Sequence, residues 1–147
     1  MQLITNLNRG DIDCIILYII IQNWKEVFNM STVKVGEIYW AKDVSTVNCC
    51  GEAVQKNRPV IVINNKQGLK YSGICTVIPL SSKVEKLEKT HCNVLIKSSN
   101  LKPSVTLTEQ ISTISQSSLV GPPLDRLNEN NLNLVKDAVK RQLDLCS

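Results

Sequence analysis

The sequence predicts a mainly β fold, an antiparallel β domain with an α-helix at its C-terminus. Short apolar runs rich in β-branched residues follow one another between residues 35 and 111, and Gly, Pro, Asn or Asp bound them, which is the pattern of strands. Apolar residues at helical spacing come after them, between residues 129 and 145. Strands first and a helix last favour a sheet on which that helix packs. A chain of 147 residues is long enough for one domain with its own core.

The first two strands are predicted on either side of a polar segment. Val35–Trp40 is a short apolar run that ends before Lys42 and Asp43, and Cys49–Asn57 is predicted to be a polar loop. Pro59 has no backbone donor and fixes its own φ, so it is expected at the mouth of a strand. The β-branched run Val60–Ile63 then forms a buried core strand.

Three more strands and the helix complete the predicted domain. Ile74–Leu80 is the third strand, in which Pro79 marks an edge or a bulge. Cys92–Ile96 and Ser104–Ile111 are two more, separated by a stretch rich in turn residues. The helix is predicted over residues 129 to 145, with Asn128 as its N-cap. Its apolar face consists of Leu132, Val135, Val139 and Leu143.

The charge balance favours a polyanionic partner. The chain has 17 basic and 13 acidic residues. Two of the basic and three of the acidic residues lie in positions 1–29, so the remainder has 15 against ten, a net charge of +5. Phosphate contacts supply much of the affinity of proteins for nucleic acids, and a basic domain suits them.

The cysteines do not have the spacing of a zinc site. They lack a Cys-x-x-Cys pair, and the sequence has a single histidine, His91. The six cysteines are Cys14, Cys49, Cys50, Cys75, Cys92 and Cys146. Without a secretory signal we expect a cytoplasmic protein with free thiols, no metal site and no cofactor. The adjacent pair Cys49 and Cys50 is expected in a loop, exposed to oxidation.

Residues 1–29 form a leader that differs from the rest of the chain. The apolar run Cys14–Ile21 is eight residues long, against the roughly 20 that span a bilayer. The leader is either an extra strand or helix, or untranslated sequence read in frame. Trp24–Val27 can be encoded by TGG AAG GAG GTN, which would contain a strong bacterial ribosome-binding sequence just before Met30. We therefore expect the natural protein to start at Met30, with the functional domain at residues 30–147.

Five segments of the sequence resemble the MazF/PemK-type endoribonuclease toxins, in the order and spacing of that family. The two most informative are Asn57–Ile63, with its Arg-Pro-Val motif, and Thr106–Ile114, with its Glu-Gln motif. Val35–Ala41, Val77–Ser81 and Leu101–Val105 agree as well. The resemblance implies an SH3-like antiparallel barrel of the Kid/MazF/CcdB type with a C-terminal α-helix, assembled as a symmetric homodimer.

The resemblance also implies an activity. It indicates a toxin of a type II toxin-antitoxin system, a sequence-specific and metal-independent endoribonuclease that cuts single-stranded RNA or mRNA. The 2′-hydroxyl of the RNA attacks the neighbouring phosphate, which leaves a 2′,3′-cyclic phosphate and a 5′-hydroxyl. A cognate antitoxin is the protein partner. Two alternatives are a non-enzymatic CcdB-like toxin that binds DNA gyrase and a degenerate RNA-binding member of the family.

Three residues are expected to carry the chemistry. Arg58 stands at the position of the family's catalytic arginine, and a guanidinium fork suits phosphate oxygens; the alternative is an exposed arginine in a salt bridge. Ser81 stands where the family usually has a threonine that donates to the scissile phosphate, and a serine keeps that hydroxyl; the alternative is a serine that only forms a turn at the strand end. Glu52 corresponds to the proton acceptor, although the loop between it and Arg58 is one residue longer than in the family.

RNA contacts are expected from residues around these three. They are Gln110, Glu109, Ser82, Lys56 and Asn57. For Gln110 the alternative is that it supports the site without touching the RNA. Ser82 is also the substitute for Ser81 if the alignment is shifted by one residue. Ser112 stands where the family has an arginine, so that one phosphate contact is lost.

Three other side chains are weighed against ordinary structural roles. His91 titrates near neutral pH but is expected to be structural, because nothing in the family pattern places it beside Arg58. Trp40 and Tyr71 have aromatic rings on which a base can stack. Trp40 is expected in the core instead.

Overall fold

The computed structural model describes residues 33–47, 51–87 and 92–145. In these ranges seven strands form one antiparallel sheet, and an α-helix ends the domain, which confirms the predicted fold class. The leader at positions 1–29, the pair Cys49 and Cys50, and His91 lie outside the described residues. No helix in the described ranges is long and apolar enough to cross a membrane.

The sheet has the strand order β4-β5-β3-β2-β1-β7, and β6 also pairs with β3. β3 is therefore the central strand, with β2 along one edge and with β6 and then β5 along the other. The strands are β1 Glu37–Val47, β2 Ala53–Val62, β3 Ile74–Ser81, β4 Leu95–Ile96, β5 Ser104–Thr106, β6 Ser112–Ser115 and β7 Leu119–Arg126. The helices are α1 Lys66–Tyr71, α2 Val84–Leu87 and α3 Glu129–Gln142, and two 3₁₀ turns cover Thr108–Gln110 and Gln116–Ser118.

β1 and β2 form a long hairpin whose distal part was not predicted. The first strand continues to Val47 instead of ending at Trp40, through a bulge at which Asp43 has a φ of 53°. The predicted loop at Cys49–Asn57 is wrong from Ala53 onward, because Ala53 to Asn57 belong to β2 and Ala53 to Lys56 pair with β1. Their side chains are mostly exposed, so no apolar pattern in the sequence indicates a strand here. Backbone hydrogen bonds join this part of β2 to Val44–Val47 of β1, and the two segments together form the β1–β2 arm.

The two strand prolines lie where the pairing changes. Pro59 is not at the mouth of a strand, as predicted, but well inside β2 opposite Trp40. It is tolerated because pairing with β3 begins one residue later, at Val60. Pro79 lies between the part of β3 that pairs with β6 and the part that pairs with β5, an irregularity of the kind predicted there.

The segment Ser104–Ile111 is not the single strand that was predicted. β5 ends at Thr106, and the chain turns into the 3₁₀ turn Thr108–Gln110. The hydroxyls of Thr106 and Thr108 are buried and lie 3.1 Å apart, and Thr106 Oγ1 accepts a hydrogen bond from Val94 N. These side-chain bonds replace strand pairing. They also leave β4 with two residues instead of the predicted five at Cys92–Ile96.

The C-terminal helix packs on one side of the sheet as predicted. Asn128 is its N-cap, since Asn128 Oδ1 accepts a hydrogen bond from Asn131 N at 2.8 Å. Leu132, Val135 and Val139 pack against buried strand residues such as Ile61 and Ile78. The helix ends at Gln142 rather than at residue 145, and Leu143 is exposed. A second cluster on β1, β2 and β3, which includes Tyr39, Val60 and Cys75, completes the core.

Candidate functional site

A groove of about 780 Å³ lies beside the long hairpin. The hairpin forms one wall, and the end of β3, the segment before β5 and the 3₁₀ turn form the rest. Its lining residues are Trp40, Thr46, Val47, Val54, Lys56, Arg58, Pro59, Leu80, Ser81, Ser82, Lys83, Leu101, Lys102, Ser104, Leu107 and Gln110. Five of the predicted site residues are therefore brought together here: Arg58, Ser81, Ser82, Lys56 and Gln110.

The extended backbone of β2 sorts the hairpin side chains between two faces. Successive side chains of a strand point to opposite faces, so Val54, Lys56 and Arg58 share the face that lines the groove. Asn57 belongs to the other face, where its Oδ1 accepts a hydrogen bond from Asp43 N at 3.2 Å. Asn57 thus bridges the bulge in β1. It is not among the residues that line the groove, and its predicted contact with RNA stays a prediction.

Arg58 and Ser81 lie at the point where β2 and β3 separate. The last bridged pair of the two strands is Val60 with Pro79. Arg58 lies two residues before Val60 and Ser81 two residues after Pro79, so both continue the strand face of that pair. From there β2 stays with β1, through Arg58 and Ala41, whereas β3 pairs with β5. The end of the β2–β3 pairing opens the groove with these two side chains in its lining.

The guanidinium of Arg58 is partly buried and has an unused donor. Its Nε is shielded from solvent and has no hydrogen-bond partner among the described residues. The alternative prediction was an exposed arginine in a salt bridge. Within the described ranges Arg58 forms no ion pair. Burial lowers the pKa of Arg58 from its ordinary value, but a guanidinium stays charged in proteins. A buried donor on a cation is well suited to an anionic oxygen.

The hydroxyl of Ser81 has a defined orientation. Its oxygen accepts a hydrogen bond from Lys83 N at 3.3 Å, within the turn that follows β3. A serine hydroxyl that accepts one bond still has its hydrogen to donate. Ser82, the alternative to Ser81, is exposed and also lines the groove. A ligand oxygen near Arg58 can therefore receive a second hydrogen bond from this side of the groove.

The groove is lined by basic side chains. Lys56, Arg58, Lys83 and Lys102 contribute four positive charges, and none of the described lining residues is acidic. Clefts lined by one sign of charge raise the local concentration of ligands of the opposite sign. Lys83 and Lys102 were not predicted as site residues, because the sequence does not show that their segments face the hairpin. Lys102 lies within the family-like segment Leu101–Val105, and this position was the signal in the sequence that could have identified it as a site residue.

Gln110 lines the groove but uses both ends of its amide for the protein. Gln110 Oε1 accepts from Val47 N at 3.1 Å, and Gln110 Nε2 donates to Val47 O at 3.0 Å. Both bonds join Gln110 to the end of β1, and its contact with RNA stays a prediction. Glu109 and Glu52 are exposed and are not part of the groove lining.

The aromatic residues and Ser112 also differ from expectation. The prediction of Trp40 as a core residue is wrong, because its side chain is 41% exposed and lines the groove. Tyr71 is 77% exposed outside the groove, with Lys70 Nζ 5.2 Å from its ring centre. Ser112 lies on β6 opposite Val77, away from the groove lining, and its buried hydroxyl has no partner in the described part of the chain.

Two described cysteines are free. Cys75 is buried in the core, and burial raises the pKa of its thiol to about 11; Cys92 is partly buried. Within the described ranges, no three His, Cys, Asp or Glu side chains converge as a metal site would require. The polar side chains that the groove does offer include those of arginine, lysine and serine residues.

A small antiparallel β domain with a cationic groove, in whose lining a guanidinium donor lacks a partner among the described residues, has the features that suit an anionic ligand. Residues 34–143 match the family model described as PemK-like, MazF-like toxin of type II toxin-antitoxin systems. The chain belongs to this family.

Solved structures with the same fold agree with the family assignment. One is the Mycobacterium tuberculosis toxin MazF-mt6, with a TM-score of 0.59 and 19% identity over 76% of this chain and 99% of that chain. Another is an endoribonuclease in complex with its cognate antitoxin from a mycobacterial species, with a TM-score of 0.59 and 14% identity over 80% of this chain and 99% of that one. A MazE-MazF structure from Deinococcus radiodurans has a TM-score of 0.59 and 15% identity over 76% of this chain and 95% of that chain.

Proposed function

We propose that this toxin is an endoribonuclease that cuts single-stranded RNA at preferred sequences, without a metal ion. The observation that carries the proposal is the position of Arg58 and Ser81 in the lining of one cationic groove. Two structural relatives are described as endoribonucleases, which supports the same activity here. RNA brings the anionic backbone that such a groove favours.

The reaction needs no external nucleophile, because RNA carries its own. The 2′-oxygen forms a bond to phosphorus and gives its proton to a base. The bond from phosphorus to the 5′-oxygen of the next nucleotide breaks, and that oxygen takes up a proton. One product ends in a 2′,3′-cyclic phosphate and the other begins with a 5′-hydroxyl.

Arg58 and Ser81 have separate tasks in this reaction. In the transition state negative charge builds up on the phosphate oxygens, and the fixed charge of Arg58 stabilises it more than it stabilises the ground state. Ser81 donates its hydroxyl hydrogen to a phosphate oxygen from the β3 side. Lys56, Lys83 and Lys102 neutralise phosphates on either side of the cut.

Glu52 remains the proposed proton acceptor. It lies just before β2, in the arm that carries Lys56 and Arg58 along the groove. Its exposed carboxylate is outside the groove lining, so the bound RNA has to extend beyond the groove to the end of the hairpin where β1 connects to β2. Apo geometry alone does not exclude such a base, because catalytic hydrogen bonds often form only with substrate.

The proposed protein partners are a second copy of the chain and a cognate antitoxin. Symmetric dimers are the commonest oligomers, and MazE-MazF complexes are known among the structural relatives. An acidic antitoxin segment suits the basic groove and would block the RNA site by occupying it. A short acidic reading frame beside this gene is the expected source.

Incubation of the purified protein with a long RNA in excess EDTA tests the proposed activity. We expect discrete fragments, whose ends share a short sequence, in the presence of the chelator. Intact RNA under these conditions, with cleavage restored by Mg²⁺, would contradict metal independence. Intact RNA under all conditions would contradict the proposed function.

A further inference from the structure

The amide of Gln110 occupies the place of a neighbouring strand at the end of β1. It accepts from the N–H of Val47 and donates to the C=O of Val47, at 3.1 and 3.0 Å. A residue of an adjacent antiparallel strand would offer the same pair of bonds, through its own C=O and N–H, to one facing residue. The two residues are 63 positions apart, so these bonds join distant parts of the domain.

The 3₁₀ turn that carries Gln110 is fixed to the opposite wall of the groove. Leu107 N donates to Pro79 O at 2.8 Å, and Gln110 N donates to Leu107 O at 2.9 Å. Pro79 lies two residues before Ser81 on β3. Thr108, within the turn, is fully buried, and its hydroxyl is hydrogen-bonded to that of Thr106 on β5. Gln110 therefore extends from a rigid base that is continuous with the strand of Ser81.

The arm that Gln110 holds is anchored by the buried side chains of Val44 and Thr46, whereas Val47 at its end is 51% exposed. β7 pairs with β1 only as far as Ala41, and the register of β1 with β2 shifts between Ala41 and Val44. Asp43, with its φ of 53°, lies at that shift. Beyond the bulge the facing β2 residues are mostly exposed. A bulge bends the strand and interrupts its ladder, so a further contact at the exposed end helps to fix the position of the arm.

We infer that Gln110 is a positioning residue, which holds the end of the β1–β2 arm at a fixed distance from β3, so that Lys56 and the proposed proton acceptor Glu52 keep their positions relative to Ser81. Its amide is committed to Val47 and is not a contact for RNA. The inference rests on the proposed nuclease function. Small displacements of a catalytic group reduce the rate of reaction more than they reduce binding, because the transition state is the more demanding of the two.

The test compares Gln110→Ala and Gln110→Glu with the control Gln67→Ala, an exposed glutamine of α1 outside the groove lining. The glutamate keeps an acceptor for Val47 N–H but sets a carboxylate oxygen against Val47 C=O. The substrate is a short RNA that spans a site cut by the wild type. The same oligonucleotide with a 2′-deoxy sugar before the cut serves as the uncleavable ligand. Hydrogen exchange of the Val47 amide reports on the contact itself, without RNA.

We expect both Gln110 variants to lower kcat on the order of tenfold to a hundredfold. The Kd for the deoxy oligonucleotide should stay within about threefold of the wild type, which separates positioning from direct binding. Val47 exchange should be slow in the wild type and in Gln67→Ala but fast in Gln110→Ala. A raised Kd with an unchanged kcat would identify Gln110 as an RNA contact and overturn the inference. So would fast Val47 exchange in the wild type.

The two hypotheses fail in different ways. A wild-type protein that cuts no RNA would overturn the proposed function, while slow Val47 exchange would still establish the Gln110 contact. A wild type that cuts RNA, with a Gln110→Ala variant that loses Val47 protection but keeps its kcat, would overturn the positioning role alone.

Discussion

Arg58 and Ser81 each lie two residues beyond the Val60–Pro79 pair, on neighbouring strands that stop pairing there, and both line the same groove. A guanidinium and a hydroxyl are thus offered to one ligand from two separate strands. Because core residues fix both strands up to that point, the pair is preorganised before a ligand arrives. Preorganised donors cost little reorganisation when charge develops on a ligand.

Replacement of Arg58 is expected to be the most damaging single change to activity. Arg58→Ala removes a fixed charge near the reacting phosphate, and we expect a loss in kcat on the order of a hundredfold or more. Arg58→Lys keeps the charge but loses the guanidinium fork, so its activity should lie between that of the wild type and that of Arg58→Ala. Arg141→Ala, on the exposed side of α3, is the control. Equal rates for folded Arg58→Ala and Arg141→Ala would contradict the role of Arg58.

Ser81 should matter less than Arg58, and through its hydroxyl alone. Ser81→Ala removes one hydrogen bond and is expected to lower the rate by about tenfold. Ser81→Thr keeps the donor and should retain most of the activity. Rates of cleavage of one short RNA measure both. If Ser82→Ala is the slower variant instead, the hydroxyl donor is Ser82 rather than Ser81.

A buried hydrogen bond near the start of β1 gives a prediction about stability. Tyr39 OH donates to Glu37 Oε2 at 2.8 Å, and both residues are buried. Tyr39→Phe leaves the carboxylate without this donor and should lower the free energy of unfolding by about 1–3 kcal/mol. Tyr71→Phe removes a hydroxyl that is exposed and should change it by less than about 0.5 kcal/mol. Urea unfolding of the two variants would show equal midpoints if the buried bond contributes nothing.

The thiol of Cys75 makes stability depend on pH in the alkaline range. Its pKa is raised from 9.0 to about 11 by burial, so the folded protein keeps a proton that the unfolded chain loses. Stability from this group is complete below pH 9 and is lost as the pH rises towards 11, by at most about 1.4 kcal/mol per pH unit. Cys75→Ala should show a shallower decline than the wild type in urea titrations between pH 8.5 and 10.5. Parallel declines would contradict the prediction.

The parts of the fold that were predicted are those where burial produces a pattern. The helix was found because Leu132, Val135 and Val139 pack against the sheet at helical spacing. The core of β2 was found because Val60–Val62 are β-branched and buried. The distal arm of β2 was missed, since exposed polar residues held by backbone bonds resemble a loop. β7 was missed because Gly121 and two prolines interrupt any alternation.

The candidate site was predictable only in part, for a similar reason. Family-like motifs located Arg58 and Ser81, and the structure places both in one groove. The sequence does not reveal which polar side chains form hydrogen bonds within the protein and which stay free for a ligand. Gln110 is bonded to Val47 and Asn57 to Asp43, and both bonds depend on three-dimensional contacts that no local spacing encodes.

Cleavage of a single-site RNA and of its 2′-deoxy counterpart, with the product ends mapped, tests the central claim most directly. The substituted sugar lies immediately before the cut, and EDTA is present throughout. We expect the all-RNA oligonucleotide to give a 2′,3′-cyclic phosphate and a 5′-hydroxyl, and the deoxy oligonucleotide to stay intact while still binding. Cleavage of the deoxy oligonucleotide at the same site, or a product with a 5′-phosphate, would contradict attack by the 2′-hydroxyl.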